Sequence, residues 1–354
     1  MSFFNKLFSI KEAGFHYVIR VFGIKFKIRS LKLTNKEINE FDHKTRSDLI
    51  SARKYFVWAN ENKLTQNEKR WLLETLFYEQ VGYFPDLTNP KSFNEKLNWM
   101  KLHYDNPLQK RCVDKYEFKE YIKEKLGEGY TIPLIGVYKD VNDIDFTSLP
   151  NKFVIKTTVN GGSYSVQIVK DKSKLDINDL KYKFSKMLQN FETVYHAHLT
   201  KAYEGLKPRI IIEEFMEQLD GQLNDYKFHC FHGEPKMVLA IEDRDFNGGY
   251  KFEFVDMDWK RLNFHRGKDK KKLMKSVKPK CFDEMVRISR ILSKDFPMVR
   301  VDFYEIDGKV YVGELTFTPM SGFGKYSPVE WDYKIGEWLD LSKLEDEYLI
   351  KEAL

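Results

Sequence analysis

A chain of 354 residues, 42% hydrophobic and 32% charged, is long enough to bury a large core and has an ordinary water-compatible composition. Its three cysteines (Cys112, Cys230 and Cys281) are far apart and make no metal-binding spacing, which excludes a disulfide scaffold and suggests a reducing compartment, most simply the cytosol. No apolar run reaches the length of a transmembrane helix, no cleavable signal is visible, and neither an internal repeat nor a low-complexity linker interrupts the chain.

The formal net charge of +6 is placed unevenly. Residues 1–32 hold Lys6, Lys11, Arg20, Lys25, Lys27, Arg29 and Lys32 against the single acid Glu12, interleaved with Phe3, Phe4, Phe8, Phe15, Phe22 and aliphatic residues. A basic, aromatic-rich amphipathic leader suits an anionic membrane surface on the inner face of the cytoplasmic membrane. A strand or helix packed on the main domain, its lysines solvated, explains the same pattern. No nucleic-acid partner is expected.

Residues 35–82 read as helical, because apolar positions repeat at three and four over 51–60 and 67–80. Two prolines and Asp86 break that pattern at 83–90 and mark a boundary. Ser92, with Glu95 three residues on, is a capping box that starts a helix. Another helix runs from Asp114 to Leu126 and stops at Gly127, and Thr131 to Tyr138 then reads as a strand.

Lys152-Phe-Val-Ile-Lys156 is an apolar strand ending in lysine, followed by Asn160-Gly161-Gly162-Ser163 and a second strand from Tyr164 to Val169. A lysine there can reach phosphates whose oxygens the glycine-loop amides also contact. By itself the pattern is also an ordinary hairpin. Arg209 to Met216 is a buried strand running into Glu213 and Glu214 and then Phe215 and Met216. From Asn224 to Phe231 polar and apolar residues alternate, so Asp225 and Lys227 share one face of a strand. Arg266 to Lys280 holds eight basic residues against Asp269, a run that reads as a solvated loop or as an attractor for an anionic acceptor. His196 and His198 have no acid or cysteine at ligand spacing and read as loop or core residues.

Val299 to Gly322 reads as a hairpin turning at Asp307-Gly308, and carries Arg300, Asp302 and Glu314. A two-residue turn pairs Ile306 with Lys309 and puts Asp302 and Glu314 on opposite faces. A three-residue turn pairs Glu305 with Lys309, sets Glu314 opposite Arg300 and gathers all three charges on one face. The second register is expected here, because it gives the two carboxylates a Mg2+ to hold.

Arg300-Val-Asp302 followed by Glu314-Leu-Thr316-Phe-Thr-Pro319 resembles the R-x-D and E-x-N-x-x-P strands of the ATP-grasp superfamily, with Thr316 where asparagine usually stands. Together with Ser92-Phe-Asn-Glu-Lys, Asp114-Lys115, Phe153 to Lys156, Glu213-Glu214 and Asp225-Tyr-Lys227, it is similar to the TupA-like ATP-grasp family of bacterial surface-polysaccharide clusters over about Pro85 to Leu341. The resemblance implies an α+β ATP-grasp fold, two α+β subdomains clamping ATP, with a helical N-terminal extension. Beyond a leader (1–34) and a helical region (35–84) that lie outside the likeness, it divides the chain into a substrate region (85–150), a lid with the lysine strand and glycine loop (151–217) and a metal-site subdomain (218–341), followed by a tail (342–354). It also implies roles. Lys156, Gly161, Gly162, Ser163 and Lys227 would hold the ATP phosphates. Glu213, Glu214, Phe215 and Met216 would clamp adenine and Asp225 the ribose. Asp302 and Glu314, with Thr316, would bind Mg2+. Arg300, with Lys227, would serve catalysis, and Ser321-Gly322-Phe323 would line the acceptor side.

The implied activity is an ATP-dependent carboxylate–amine ligase that joins a sugar uronic acid to an amino acid or amine through an acyl phosphate. The sugar would be a small molecule or lipid-linked. A glycosyltransferase is the first alternative, since Asp243-Arg-Asp245 and Asp256-Met-Asp258 are D-x-D pairs, although both adjoin turns where acids are common. A kinase on the same ATP site and a non-catalytic scaffold follow.

Overall fold

In a computed structural model the chain is described at residues 8–13, 16–21, 24–29 and 64–351, apart from 160–164, 190–198, 217–223, 243–250 and 268–274. It divides into two compact units, Met1–Lys63 and Leu64–Leu354.

In the first unit, the leader expected as a single strand or helix is a three-stranded antiparallel sheet of β1 (Phe8–Ala13), β2 (His16–Val21) and β3 (Ile24–Arg29). The strict alternation of Ile24-Lys-Phe-Lys-Ile-Arg29 has the period of a strand, not of a helix. The helix expected at 51–60 lies outside the described residues.

The second unit opens with α1 (Gln66–Val81), whose N-cap Thr65 and Glu68 form a capping box and whose end is Gly82 in the left-handed region. Next come α2 (Phe93–His103), with the expected Ser92–Glu95 capping box, α3 (Pro107–Val113) and α4 (Lys115–Leu126), capped by Asp114 and stopped at Gly127. A four-stranded antiparallel sheet follows, in the order β4 (Leu134–Tyr138), β7 (Ile210–Glu214), β5 (Phe153–Thr157), β6 (Val166–Val169). Alternation buries Phe153, Ile155, Ile210 and Ile212 with Leu180 and Phe184 of α5 (Ile177–Gln189). Lys156 and Glu213 therefore fall on the opposite face.

A five-stranded antiparallel sheet runs β10 (Lys251–Val255), β9 (Glu234–Glu242), β8 (Asp225–Phe231), β12 (Met298–Ile306), β13 (Lys309–Thr316). One face packs Phe228, Val299, Val301 and Phe303 against Met285, Ile288 and Leu292 of α6 (Phe282–Ser293). The other carries Met237, Leu239, Phe252 and Phe254, which meet Phe93 and Leu97 of α2, Phe264, Tyr326 and Ile335 of α7 (Glu330–Trp338). A short ladder pairs β11 (His265–Arg266) with β14 (Tyr326–Ser327). Among the described residues no helix is long and apolar enough to cross a membrane.

The hairpin corrects the expected register. Ile306 pairs with Lys309 across a two-residue turn, with Asp307 and Gly308 both at positive φ as a type I′ turn requires. A β-bulge then restores the common face: Phe303 pairs with Val312 and Asp302 with Glu314, so Gly313 has no partner and the side-chain parity flips. Arg300 consequently faces Thr316.

Helices α2 and α7 approach closely at Gly336, where a Cβ would lie 2.2 Å from the Lys91 carbonyl oxygen and 2.8 Å from the Phe93 nitrogen. Neither backbone atom can swing aside. Gly336→Ala is expected to cost about 3 kcal/mol of stability, the upper part of the usual overpacking range, and urea unfolding measures it. A change below about 0.5 kcal/mol, the scatter of ordinary surface substitutions, would mean that the two helices separate freely.

Candidate active site

The floor of the site is the charged end of the five-stranded sheet. Asp225, Lys227 and His229 of β8, Arg300 and Asp302 of β12, and Glu314 and Thr316 of β13 share one face, because Asp302 pairs with Lys227 on one side and Glu314 on the other. Asp302 is almost fully buried. Arg300 donates to its two oxygens from Nε (2.6 Å) and Nη2 (2.7 Å), and the Lys227 ammonium bonds the second oxygen. Arg300 Nη2 also reaches Glu314 Oε1 at 2.8 Å, Thr316 donates to that oxygen at 3.2 Å, and Lys227 lies 3.7 Å from Asp225. Burial pushes the Asp302 carboxyl up, but the Arg300 and Lys227 charges outweigh it and hold the group below the usual carboxylate range. Burial pulls the Arg300 guanidinium down, and Asp302, Glu314 and Asp225 more than reverse this.

The four-stranded sheet contributes a second charged centre. Glu213 is 2% exposed and is held on both oxygens by lysines, Lys119 of α4 at 2.7 Å and Lys156 of β5 at 2.6 Å. Burial raises its carboxyl, and Lys156 and Lys119 bring it back below the ordinary value. Lys115, the first residue of α4, stands between the two centres: its charge feels Glu314 of the floor and Lys156 and Glu213 of the four-stranded sheet. Desolvation brings its ammonium down to about 8, with Lys156 adding to the shift while Glu314 and Glu213 oppose it. The α4 N-terminus is fixed to the four-stranded sheet because Lys115 N–H donates to the Thr158 carbonyl at 2.8 Å and Arg209 bonds both Asp114 and Glu117.

Glu214 is exposed at the end of β7, and Phe215 and Met216 follow it half-buried, with the Lys152 ammonium 5.9 Å from the Phe215 ring. Gly161, Gly162 and Ser163, Asp243 and Asp245, and His196 and His198 lie outside the described residues. Half-buried Asp256 and exposed Asp258 occupy a turn, where Asp256 Oδ1 accepts from the amides of Asp258 (3.0 Å) and Lys260 (2.8 Å).

The pattern reading missed a bolt beneath the loop after β13. Met320 and Ser321 both stand at φ 53°, a strained backbone for non-glycine residues. Side chains of α2 hold that loop: Asn94 Nδ2 donates to Gly324 O (2.6 Å), Asn98 Nδ2 to Gly322 O (2.7 Å), and the buried Lys101 Nζ to Ser321 O (2.7 Å) and Asn98 Oδ1 (2.9 Å). The signal was in the sequence. Positions 94, 98 and 101 repeat at four and three, placing three polar residues on one side of the helix.

Two facing carboxylates and a hydroxyl are hard oxygen donors, the set Mg2+ takes when phosphates and water complete its shell. Among the described residues no three His, Cys, Asp or Glu side chains gather as a self-sufficient metal cage. The site residues fit a metal held jointly with a phosphate ligand.

A charged antiparallel floor, a lysine-bearing second sheet and a helix that feels both are the parts of an ATP-grasp fold. The family described as TupA-like ATPgrasp matches residues 95–340, more than two thirds of the sequence, and the chain belongs to it. No curated protein matches the sequence. Similar solved structures include the D-alanine-D-alanine ligase of Helicobacter pylori (20% identity, 65% of this chain and 61% of that one, TM-score 0.37). The Bacillus anthracis D-alanine-D-alanine ligase complexed with ATP shares 19% identity over 58% of this chain and 55% of that one, TM-score 0.35. The ATP-grasp ligase PsnB, complexed with minimal precursor, Mg and ADP, shares 13% over 94% and 83%, TM-score 0.36. The chain thus spans about three fifths of the H. pylori enzyme.

Proposed function

We propose that the protein is an ATP-dependent carboxylate–amine ligase that couples the carboxylate of a sugar uronic acid, nucleotide- or lipid-linked, to an amino acid or amine in bacterial surface-polysaccharide synthesis. The observation that carries this reading is the floor, where Arg300, Lys227, Asp302 and Glu314 make one hydrogen-bonded charge network. The substrate class follows from the family resemblance and the pathway it implies.

Lys156 and Lys227 draw the ATP phosphates, and Glu213 fixes where Lys156 points. Asp302, Glu314 and Thr316 would hold Mg2+, which when bound would neutralise charge on the β- and γ-phosphates. The substrate carboxylate oxygen attacks the γ-phosphorus and ADP leaves with the bridging electron pair. The amine nitrogen then attacks the acyl carbon, and Arg300 faces the oxyanion that forms. Phosphate departs with its bonding electrons, and the nitrogen loses a proton to give the amide. Asp225 suits a ribose hydroxyl, and the backbone around Phe215 and Met216 suits adenine.

The self-capping turn at Asp256 and Asp258 disfavours that pair as a glycosyltransferase's D-x-D, while Asp243 and Asp245 lie outside the described residues. The leader, with its seven basic residues, is proposed to hold the chain at an anionic membrane surface on the cytoplasmic side.

The test is purified protein with ATP, Mg2+, nucleotide-linked uronic acids and an amino-acid pool, followed by ADP release and product mass. ADP, phosphate and a product heavier by one amine minus water support the ligase. A phosphorylated sugar makes the protein a kinase. Consumption of a nucleotide sugar with ATP untouched makes it a glycosyltransferase.

Lys115 gives this reading a pH signature. A phosphate beside the Lys115 ammonium favours its charged form, so its value rises from about 8 when ATP binds. ATP affinity should be flat below pH ~7.5 and weaken by up to about tenfold per unit above pH 8, with proton uptake on binding at pH 8.5. Titration calorimetry in two buffers of different ionisation enthalpy measures both. Lys115→Arg, charged throughout, should flatten the curve. A wild-type curve without that alkaline limb would put Lys115 out of reach of the phosphates.

A further inference from the structure

Arg266 is a cation that the reaction outlined above does not use. The pairing of β11 with β14 sets it opposite Tyr326, and Gly267 N–H fastens the strand end to the Lys325 carbonyl at 2.6 Å. Its guanidinium lies over two rings at once, 5.7 Å from Phe252 and 5.7 Å from Phe254. Both rings belong to the face of the five-stranded sheet that carries the charged floor, since Phe254 pairs with Leu239 and Leu239 with Lys227. Phe254 also stands 6.4 Å from the ring of His229, the strand partner of Arg300. Two arginines thus flank one buried histidine above a common sheet face.

Their surroundings differ. Arg300 is committed to Asp302 and Glu314. Arg266 has no ion pair among the described residues, and its Nε is shut off from solvent with no hydrogen-bond partner. His229 offers no compensation: burial, then the Arg300 and Arg266 charges, keep its imidazole neutral. The Tyr326 hydroxyl is also kept protonated, mainly by burial. A guanidinium with a desolvated, unanswered donor beside a second arginine is costly unless an anion completes the set. The two aromatic rings hold the guanidinium plane in place beforehand, which lowers the entropy lost when that anion binds.

We propose that Arg266 is the subsite for the carboxylate of an α-amino-acid amine substrate. The charge count selects this ligand. With Arg300 spent on Asp302 and Glu314, and Lys227 on Asp302 and Asp225, Arg266 is the cation over this face that no carboxylate among the described residues answers, and its single charge matches one carboxylate and falls short of a diphosphate. The planar fork of arginine matches a carboxylate's two oxygens. The place is also right, since β14 leaves the loop at Ser321-Gly322-Phe323 that α2 bolts down beside the floor. The inference rests on the ligase reading, and it narrows the amine partner from any amine to one bearing a carboxylate.

The experiment is titration calorimetry of the full-length protein, saturated with a non-hydrolysable ATP analogue and Mg2+, against a panel of amino acids and their C-terminal amides. At least one amino acid should bind on the order of 10- to 100-fold more tightly than its own amide, the range of a hydrogen bond to a charged group. Arg266→Gln should bring that ratio close to one, and Arg266→Lys should leave it intermediate, because the charge remains and the fork is lost. Thermal melting checks that both variants are folded, and the lysine variant alone decides the matter if the glutamine variant is not. The proposal falls if no amino acid is preferred over its amide or if the ratio survives in Arg266→Gln. It falls equally if Arg266→Gln weakens only a nucleotide-linked uronic acid, which would make this a phosphate site. Acid-selective binding with no amide in the product assay would sink the ligase reading and leave the subsite standing.

Discussion

Asp302→Asn should lose catalysis and a large part of the protein's stability together. The wild-type carboxylate is 2% exposed and takes two hydrogen bonds from Arg300 and one from Lys227. An amide of the same shape can keep its oxygen where Arg300 Nη2 and Lys227 converge, but its NH2 then faces Arg300 Nε and its negative charge is gone, so both cations are left under-compensated inside the protein. Breaking a buried pair in this way costs about 3–5 kcal/mol, set against a typical total of about 5–15 kcal/mol. On the proposed mechanism, Arg300, no longer gripped by Asp302, is also released from the oxyanion it would face. Losing one such preorganised group costs on the order of 100- to 1,000-fold in kcat. The pH profile carries the same signature. Because the Asp302 carboxyl is held below its ordinary value, the stability it contributes is complete above the unfolded value near 4 and is lost as pH falls through the lowered folded one. The wild type should therefore show a steeper acid limb of unfolding than the variant. Denaturant titration at pH 7 and pH 3, with steady-state ADP release, measures all three. Full turnover in a destabilised variant would move Asp302 out of the chemistry. Unchanged stability with lost turnover would show that water already reaches the pair.

How much of this was legible in the sequence depended on the kind of information each element uses. Helices α2 and α4 were readable because their ends are written in local chemistry, the Ser92–Glu95 box and the Asp114 cap with Gly127. Strands β5, β7 and β8 were readable because period-two alternation places Lys156, Glu213 and the Asp225–Lys227 pair on definite faces. The hairpin was different. Its charged residues do share a face, but through a bulge at Gly313 and not through the longer turn expected. Either device flips parity once, and the residues alone do not choose between them. Contacts between distant segments were the least visible. Nothing local says that Lys119 will meet Glu213, that Lys115 will feel both charged centres, or that Arg266 will lie over Phe252 and Phe254.

Glu213 is where the two kinds of reading separate most sharply. The family resemblance makes it part of an adenine clamp, whereas in the fold both of its oxygens are engaged by lysines. Glu213→Gln should therefore act first on the fold. It leaves Lys119 and Lys156, both largely buried, beside a neutral amide, with the Ile132 carbonyl still accepting from Lys119, and by the same physics as Asp302 the loss is about 3–5 kcal/mol. If like-charge repulsion is the cause, removing one of the charges must help. Glu213→Gln with Lys119→Met should recover a substantial part of that stability, because the methionine stem fills the space and Lys156 keeps the amide to itself. The sign of the acid limb agrees, since the Glu213 carboxyl is also held low and its contribution fades only as pH drops below the ordinary glutamate value. Nucleobase selectivity supplies the opposing outcome. If Glu213 reads adenine, Glu213→Gln changes the ratio of ATP to GTP use, the fold stays intact, and Lys119→Met rescues nothing. If Glu213 is the keystone of a lysine pair, that ratio holds while affinity for every nucleotide triphosphate falls together, because Lys156 has lost what aims it at the phosphates.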